Sequence, residues 1–381
     1  MADVRALRGV RYDQERVPDL GLVVAPPYDV IPEEELPALW QRSPYNVARL
    51  TRPGDDYEGA AELERTWLAE GVLRQDPEPS MYVHEHEFEG GSRRGILAAV
   101  RIVPYEAGEV LPHERTHRGP KEDRLALYRA TRTSFEPLWM VYQGEGSELP
   151  ALLGQERGES DLSFDFAGQR HRIWKVGPGE WVDRVSAAFR GRRLLIADGH
   201  HRYETALAYA AEAGGPADAS SRFALVLLVD LGDPGLRVLP THRVLRWAPV
   251  TVVGGEAKES LAETLAALDG QVAAGHYAKG RFQVLPLEGE QPLVELHRQV
   301  IDNQLGKRAA EEVLMYTRDP AEAVRWVDEG RGQAAFFLAP PDLAVVLKLA
   351  QAGTTLPQKS TYFDPKPPSG MLLQRLDQAT L

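Results

Sequence analysis

Five consecutive residues with chemically versatile side chains separate an apolar run from a helical pattern. They are Asp198, Gly199, His200, His201 and Arg202, preceded by RRLLIA and followed by YETALAYAAEAG. The apolar run predicts a buried strand, and the apolar residues that follow recur at helical spacing. The five residues therefore lie at the N-terminus of a predicted helix, where backbone N–H groups and the helix dipole favour bound anions. The sequence predicts a phosphate site at this position.

Each of the five side chains suits an anion site, although a plainer interpretation stays open. Gly199 lets a ligand approach the main chain closely, and His200 and His201 add hydrogen-bond donors. Arg202 offers a planar fork of donors, so we expect it to be the main side-chain ligand of the anion. Asp198 could cap the helix or help to hold a divalent metal ion bound to the phosphate. The alternative is a capped helix whose polar residues are simply solvated.

A second candidate is the polar segment LPHERTHRGPKEDR. HERTH formally matches H-E-x-x-H, a zinc motif whose two imidazoles share one face of a helix. Pro112 before the motif and a Gly-Pro pair after it argue against a helix there. Two other interpretations stay open. The segment is either a solvated loop that caps the next helix, or a substrate or phosphate loop with Glu114, His117 and Arg118 facing the ligand.

Three weaker signals are also compatible with plain architecture. The APPYD turn is made rigid by its prolines and could present Tyr28 and Asp29 to a ligand. LPTHRVL places His242 and Arg243 after a predicted strand. The proline-rich tail LPQKSTYFDPKPPSG is typical of an ordered functional loop or a docking arm, and it carries Lys359 beside two hydroxyl side chains.

Strand and helix patterns alternate along the chain without long uniform blocks, which predicts a mixed α/β fold of the α+β type. Predicted strands include the hairpin MYVHEHEFE and RGILAAVRIV, then FALVLLVD, RFQVLPL, VLMYT and AAFFLAP. Predicted helices lie near residues 57–70, 181–189, 257–268, 321–329 and 341–350. A change of pattern near Trp247 predicts two domains, residues 1–247 with the DGHHR box and residues 248–381 with the proline-rich tail.

Composition excludes several classes of protein. Hydrophobic residues make up 43% of the chain and charged residues 26%, as in soluble globular proteins. The sequence contains no Cys, which excludes disulfides, thiolate metal sites and a thiol nucleophile. A net charge of −12 disfavours binding to DNA or to anionic membranes. The first residues lack the apolar core of a signal peptide and the apolar runs suit strands, so we expect a cytoplasmic protein without a membrane partner.

Six segments together resemble the domain-of-unknown-function 1015 family: VVAPPYDVI, SPYNVARL, LPHERTH, ADGHHRYETAL, LPTHRVL and LPQKSTYF. The resemblance runs from about residue 22 to about residue 373. The DGHHR box also resembles the phosphate-binding box of the ParB and sulfiredoxin-like superfamily, which includes ADP-dependent free serine kinases, ParB nucleotide switches and sulfiredoxins. That resemblance implies a nucleotide-binding core with insertions, followed by a C-terminal α/β region.

The same resemblance implies roles for the residues of the box. It assigns phosphate contact to Gly199, His200, His201 and Arg202, with Asp198 as a neighbour of the metal or the phosphate. Sulfiredoxin chemistry is excluded because its reactive residue is a Cys. ParB-like DNA binding is disfavoured because the segment beyond residue 247 shows no helix-turn-helix pattern.

Two functions follow as hypotheses. The first is a nucleotide-dependent phosphotransferase that uses ADP or ATP with Mg²⁺ and acts on a small hydroxyl metabolite such as free serine. Phosphoryl transfer needs mainly positioning and charge neutralisation, together with a carboxylate to orient the hydroxyl. Glu114 is the first choice for that carboxylate and Asp29 the second. The other hypothesis is a non-catalytic nucleotide-binding switch or sensor of ParB-like type, and metal-dependent hydrolysis through HERTH is a distant third.

Overall fold

The computed structural model describes residues 2–114, 119–247, 250–306, 312–354 and 356–381, without the side chains of 119 and 120. Contacts divide the chain into two compact units. The first consists of Met1–Pro112, Thr116–Leu236 and Pro365–Leu381, and the second of His113–Arg115 and Arg237–Asp364. This division precedes the predicted boundary at Trp247 and returns the end of the tail to the first unit. The division into functional domains at residues 1–247 and 248–381 stays a prediction.

The strands and helices are numbered in chain order. The strands are β1 Val4–Arg5, β2 Val10–Tyr12, β3 Leu73–Gln75, β4 Met81–Phe88, β5 Gly91–Arg101, β6 Val110–Leu111, β7 Thr133–Ser134, β8 Leu138–Tyr142, β9 Leu162–Phe166, β10 Gln169–Val176, β11 Leu194–Asp198, β12 Phe223–Asp230, β13 Arg237–Leu239, β14 His242–Leu245, β15 Glu256–Lys258, β16 Ala273–Ala278, β17 Arg281–Pro286, β18 Leu314–Thr317, β19 Ala334–Phe337, β20 Tyr362–Asp364 and β21 Gln374–Arg375. The α-helices are α1 Leu36–Arg42, α2 Ala48–Thr51, α3 Tyr57–Ala69, α4 Gly119–Thr131, α5 Leu149–Gly154, α6 Glu180–Phe189, α7 His200–Ala213, α8 Leu261–Ala266, α9 Pro292–Leu296, α10 Asp302–Leu305, α11 Pro320–Asp328 and α12 Leu343–Gln351. Short 3-10 helices include Tyr28–Val30, and His297–Ile301 is a π-helical turn.

The first unit contains a nine-stranded mixed sheet in the order β6-β11-β8-β12-β5-β4-β10-β9, with β1 paired to β5. The pairs β6 with β11 and β8 with β12 are parallel, and the others are antiparallel. Strand β12 is FALVLLVD and lies in the middle of the sheet, buried from Phe223 to Val229. Its unbroken apolar run is typical of a strand covered on both faces. The predicted hairpin of β4 and β5 is confirmed.

The core of the first unit joins this sheet to helices α5 and α6. Its buried members include Val83, Ile96, Met140, Ile196, Val226, Leu152, Val185 and Phe189. Helix α7 contributes Tyr203 to the same core, and a smaller cluster joins Ala206 and Tyr209 to Tyr128 of helix α4. The apolar residues that recur at helical spacing in α7 therefore anchor the helix that follows the DGHHR box.

The second unit is built on a six-stranded antiparallel sheet in the order β15-β17-β16-β19-β14-β18. Neighbouring residues of one strand point to opposite faces. Leu245 and Phe336 accordingly pack with Leu296 of α9 and its surroundings, whereas Val244 and Phe337 pack on the other face with Ala323 of α11. The mixed α/β class is confirmed in both units. No helix among the described residues is long and apolar enough to cross a membrane.

Two features of the second unit differ from the sequence prediction. The helix expected at 257–268 is shorter, because Ser260 Oγ accepts a hydrogen bond from Glu263 N at 3.2 Å and starts α8 at Leu261. The residues before it pair with β17 as strand β15. Strand β16 was not predicted, because its sequence AAGHYA contains a glycine. A Cβ at Gly275 would lie 2.6 Å from Thr264 Cγ2, so the glycine permits close packing of α8.

Candidate phosphate site

The DGHHR box lies where strand β11 ends and helix α7 begins. Gly199 has φ 96° and ψ 30°, a left-handed conformation that favours glycine. A Cβ on Gly199 would also lie 2.7 Å from Leu138 Cδ2 and 3.1 Å from Arg202 Cζ. His200 and His201 form the first turn and are partly exposed. The N–H groups of a first helical turn have no partner inside their helix, so this end can offer main-chain donors to an anion.

Arg202 is buried, with 6% of its surface exposed. Its Nη1 donates to the carbonyl oxygen of Pro137 at 2.6 Å and lies 3.5 Å from Glu136 Oε2, and its Nη2 donates to Asp198 Oδ2. Burial lowers the pKa of Arg202, but the charges of Glu136 and Asp198 outweigh burial and raise the pKa above its usual value. Arg202 is therefore a permanent buried cation with internal partners. Its role as the main side-chain ligand of an anion stays a prediction.

The carboxylate of Asp198 is held between two cations. Oδ2 accepts from Arg202, and Oδ1 accepts from Lys366 Nζ. Burial raises the pKa of Asp198, but the charges of Lys366 and Arg202 outweigh burial and hold the pKa well below its usual range. The described residues contain no group of three His, Asp or Glu side chains arranged to hold a metal ion. A metal ion at Asp198 therefore stays a prediction, and it would need most of its ligands from nucleotide oxygens and water.

Glu136 is the second buried carboxylate of the site, with 7% exposed. Its Oε1 accepts from Tyr28 N at 2.9 Å and from Ser369 Oγ at 2.7 Å, while Oε2 faces Arg202. These two donors and the ion-pair partner come from the APPYD turn, the proline-rich tail and the DGHHR box. Glu136 thus joins three segments that are far apart in the sequence.

Asp29 follows Tyr28 in the 3-10 helix that the APPYD turn starts. Arg52 Nη1 donates to the carbonyl oxygen of Tyr28 at 2.9 Å, and the Arg124 guanidinium lies 4.2 Å from the centre of the Tyr28 ring. The Asp29 side chain is 39% exposed, and its Oδ2 lies 3.7 Å from Lys366 Nζ. The turn therefore presents one accessible carboxylate beside the Lys366 ammonium.

The remaining predicted residues belong to the second unit or lie outside the described residues. Glu114 and Lys359 belong to the second unit, while His117 and Arg118 fall in the segment that the structure does not describe. Glu114 Oε1 accepts from the backbone N–H groups of Ser360 at 2.8 Å and of Thr361 at 3.1 Å. Glu114 therefore fastens the tail loop that contains Lys359, whose own side chain is exposed.

The first half of the HERTH motif is not helical. Glu114 forms a β-bridge with Leu356, and His113 Nε2 is hydrogen-bonded to Thr361 Oγ1 at 2.6 Å. Helix α4, the next described element, spans Gly119–Thr131. The described part of the motif thus lacks the helical context that a zinc hydrolase of this kind requires.

Sequence reasoning missed the roles of Lys366 and Glu136. Lys366 stands between two prolines in the tail that was singled out as a functional loop, so the signal was present but was assigned to Lys359. Glu136 had no local signal, because an acidic residue in TSFEPLW differs in no visible way from a surface one. Its importance depends on donors that are distant in the sequence.

Comparison with known proteins identifies the family but gives only distant structural relatives. A free serine kinase in complex with AMP is 16% identical, covering 67% of this chain and 84% of that chain with a TM-score of 0.38. A conserved hypothetical protein from Pyrococcus furiosus is 15% identical, with 67% and 87% coverage and a TM-score of 0.36. SbnI with a C-terminal truncation from Staphylococcus aureus is 12% identical, with 71% and 85% coverage and a TM-score of 0.36.

Structural similarity at these TM-scores does not indicate the chemistry of this chain. Among curated proteins there is no match to the sequence. The family model described as "Protein of unknown function (DUF1015)" matches residues 4–337. That match spans most of the chain, and the chain therefore belongs to the DUF1015 family.

Proposed function

We propose that the first unit is a nucleotide-dependent phosphotransferase that acts on a small hydroxyl metabolite, with free serine as the first substrate to test. The observation that carries the proposal is the arrangement at the start of helix α7. A left-handed Gly199 opens the helix, and the Lys366 ammonium lies beside Asp198 at the end of the preceding strand. Main-chain donors and a lysine together suit the phosphates of ADP or ATP.

Asp29 is the carboxylate that we propose for orienting the acceptor hydroxyl. Among the acidic residues of this cluster it is the exposed one, whereas Glu136 and Asp198 are held by buried partners. Glu114, the first choice from the sequence, belongs to the second unit and its Oε1 already accepts two backbone hydrogen bonds, so we give it no role in this proposal. Asp198, which the sequence predicts beside the metal ion, is the carboxylate that we propose to complete the coordination of Mg²⁺ on a nucleotide.

A non-catalytic nucleotide switch is the second candidate function. The observation that favours it is the internal pairing of Asp198 and Arg202, which leaves main-chain groups as the principal ligands of a phosphate. Such a site could bind a nucleotide without contributing a reactive side chain. Turnover distinguishes the two functions.

The test combines binding with turnover in the same preparations. Calorimetry measures binding of ADP and ATP with and without Mg²⁺, and phosphorus NMR follows phosphoryl transfer to serine and to a panel of hydroxyl metabolites. Asp29→Asn should keep nucleotide affinity within about threefold and lower turnover by roughly 10²–10⁴-fold, the range of a positioned acid or base. Lys366→Met should weaken nucleotide binding at least about tenfold.

The matched control is Arg170→Met, because Arg170 is an exposed cation of the same unit paired with Asp165. It should change neither binding nor turnover. Nucleotide binding without transfer to any acceptor would support the switch. If neither ADP nor ATP binds, both candidate functions are refuted.

A further inference from the structure

Three segments that the proposed function leaves unused come together in the second unit. Arg243 of strand β14 belongs to LPTHRVL, and its Nη1 donates to the carbonyl oxygen of Thr241. Its Nη2 donates to the carbonyl oxygens of Gln358 at 3.2 Å and Lys359 at 3.1 Å, both in the LPQKST loop. Glu114 of LPHERTH accepts a hydrogen bond from Ser360 N of the same loop at 2.8 Å. The backbone of Lys359 has φ 52°, a conformation that costs energy for a residue with a side chain.

Arg243 is a fully buried cation, and no carboxylate of the described residues lies within ion-pair distance of its guanidinium. Its acceptors there are backbone carbonyls, and its Nε is buried with no hydrogen-bond partner in the same part of the chain. Burial lowers the pKa of Arg243 to about 10, against the opposing effects of Tyr316 and Glu114, so the side chain is charged at neutral pH. The charge of Glu114 offsets burial only in part, and an incompletely balanced buried cation favours an anion as an additional partner.

Arg243 also lines a cavity of about 230 Å³ within the second unit. Polar groups of Thr241, Gln291 and Ser360 line the same cavity, and Leu268 and Leu338 give it apolar walls. Typical pockets for drug-sized ligands measure about 300–1,000 Å³, so this cavity suits a smaller molecule. Its lining combines a few polar groups with apolar surface, which is the usual composition of a metabolite site.

Two acidic residues on the cavity wall limit the charge of the ligand. Asp342 Oδ1 accepts a hydrogen bond from Ala344 N at 2.8 Å at the start of α12, and Glu290 lies 3.6 Å from Lys348 on an exposed rim. A single guanidinium balances one negative charge. A dianionic phosphate would bring a second negative charge towards Asp342 and Glu290, whereas a carboxylate would not.

We propose that this cavity binds the carboxylate of a small metabolite, with Arg243 as the counter-charge. The guanidinium donates and the carboxylate accepts, in a charge-assisted hydrogen bond shielded from water. The apolar walls then contact the rest of the molecule. This site belongs to the second unit and does not depend on the phosphotransfer proposed for the first.

The test is calorimetric titration of the full-length protein with acetate, lactate, pyruvate and butyrate. At least one should bind saturably with millimolar affinity or better. Its uncharged amide and inorganic phosphate should each bind at least about tenfold more weakly, because one charge-assisted hydrogen bond accounts for about that factor. Failure of all four acids to bind, or equal binding of acid and amide, overturns the proposal. Tighter binding of phosphate overturns the assignment to a carboxylate.

Variants locate the site within the chain. Arg243→Met should abolish binding, but the loss of three backbone hydrogen bonds could also unfold the unit. Val345→Phe keeps Arg243 and fills the cavity from a partly exposed wall position, so it should abolish binding while circular dichroism stays unchanged. Arg325→Met removes an exposed cation outside the cavity lining and should bind like the parent. Unchanged affinity in folded Val345→Phe would place binding elsewhere and refute the cavity as the site.

Discussion

Replacing Arg202 with Ala tests whether the DGHHR box is held together by its own charges. A ligand-facing arginine could be removed with little effect on folding. The structure instead gives Arg202 two internal acceptors, on Pro137 and Asp198, and an ion pair with Glu136, with 6% of the residue exposed. We therefore expect Arg202→Ala to destabilise the protein strongly even when no ligand is present.

The expected loss of stability depends on the charges that remain after the substitution. Asp198 keeps Lys366, and Glu136 keeps its hydrogen bonds from Tyr28 N and Ser369 Oγ, but both lose the guanidinium. Removing one partner of a buried ion pair typically costs about 3–5 kcal/mol. A folded domain has only about 5–15 kcal/mol of stability, so the loss would be a large part of the total.

Urea unfolding followed by circular dichroism measures this loss directly. Arg170→Ala is the control, because its ion pair with Asp165 is exposed and should contribute little to stability. Adding Glu136→Gln to Arg202→Ala should recover part of the loss, since the two residues interact and their effects should not be additive. If Arg202→Ala destabilises the chain no more than Arg170→Ala, the buried network does not stabilise the site and the reasoning fails.

Three further predictions concern other buried groups. Gly199→Ala should cost roughly 1–3 kcal/mol in a thermal or urea melt and weaken nucleotide binding, because φ is 96° and a Cβ would meet Leu138; an unchanged melting temperature would contradict it. Burial raises the pKa of Glu64 to about 7, so stability should fall by about 3 kcal/mol as pH rises from 4.5 to 7, and Glu64→Gln should remove that slope in urea titrations at several pH values. Burial, with the nearby Arg93 charge, lowers the pKa of His171 to about 3, so stability should be lost as pH falls from 6.5 towards 3; His171→Gln should flatten that acid limb, and an identical limb would exclude His171 as its source.

Local patterns in the sequence predicted the elements whose signals are local. The helix expected at 57–70 is α3 at Tyr57–Ala69, and the helix expected at 181–189 is α6 at Glu180–Phe189. Strand β16 was missed because it contains Gly275, and glycine is unfavourable in strands. Close packing against α8 is the reason for a glycine at this position. A single sequence shows propensity and periodicity, but it does not show which backbone must approach which helix.

The candidate site was predictable only where its signals are local in the sequence. The strand, glycine and helix order around Gly199 is a local signal, and the structure has that order. The burial of Arg202 was not predictable, because its partners Glu136 and Asp198 are visible as partners only after the sheet has formed. In the same way, the sequence alone does not show that Lys366 Nζ donates to Asp198 whereas the side chain of Lys359 is exposed.

The proline-rich tail explains how the charges of the first unit reach one place. Ser369 N donates to the carbonyl oxygen of Ala25 at 2.8 Å, and Gly370 N donates to that of Phe135 at 3.0 Å. These two backbone bonds fix the tail beside the APPYD turn and beside Glu136. Lys366 stands three residues before Ser369, so the same bonds bring its ammonium to Asp198 and Asp29. The order of this part of the tail therefore also determines the charge balance of the site.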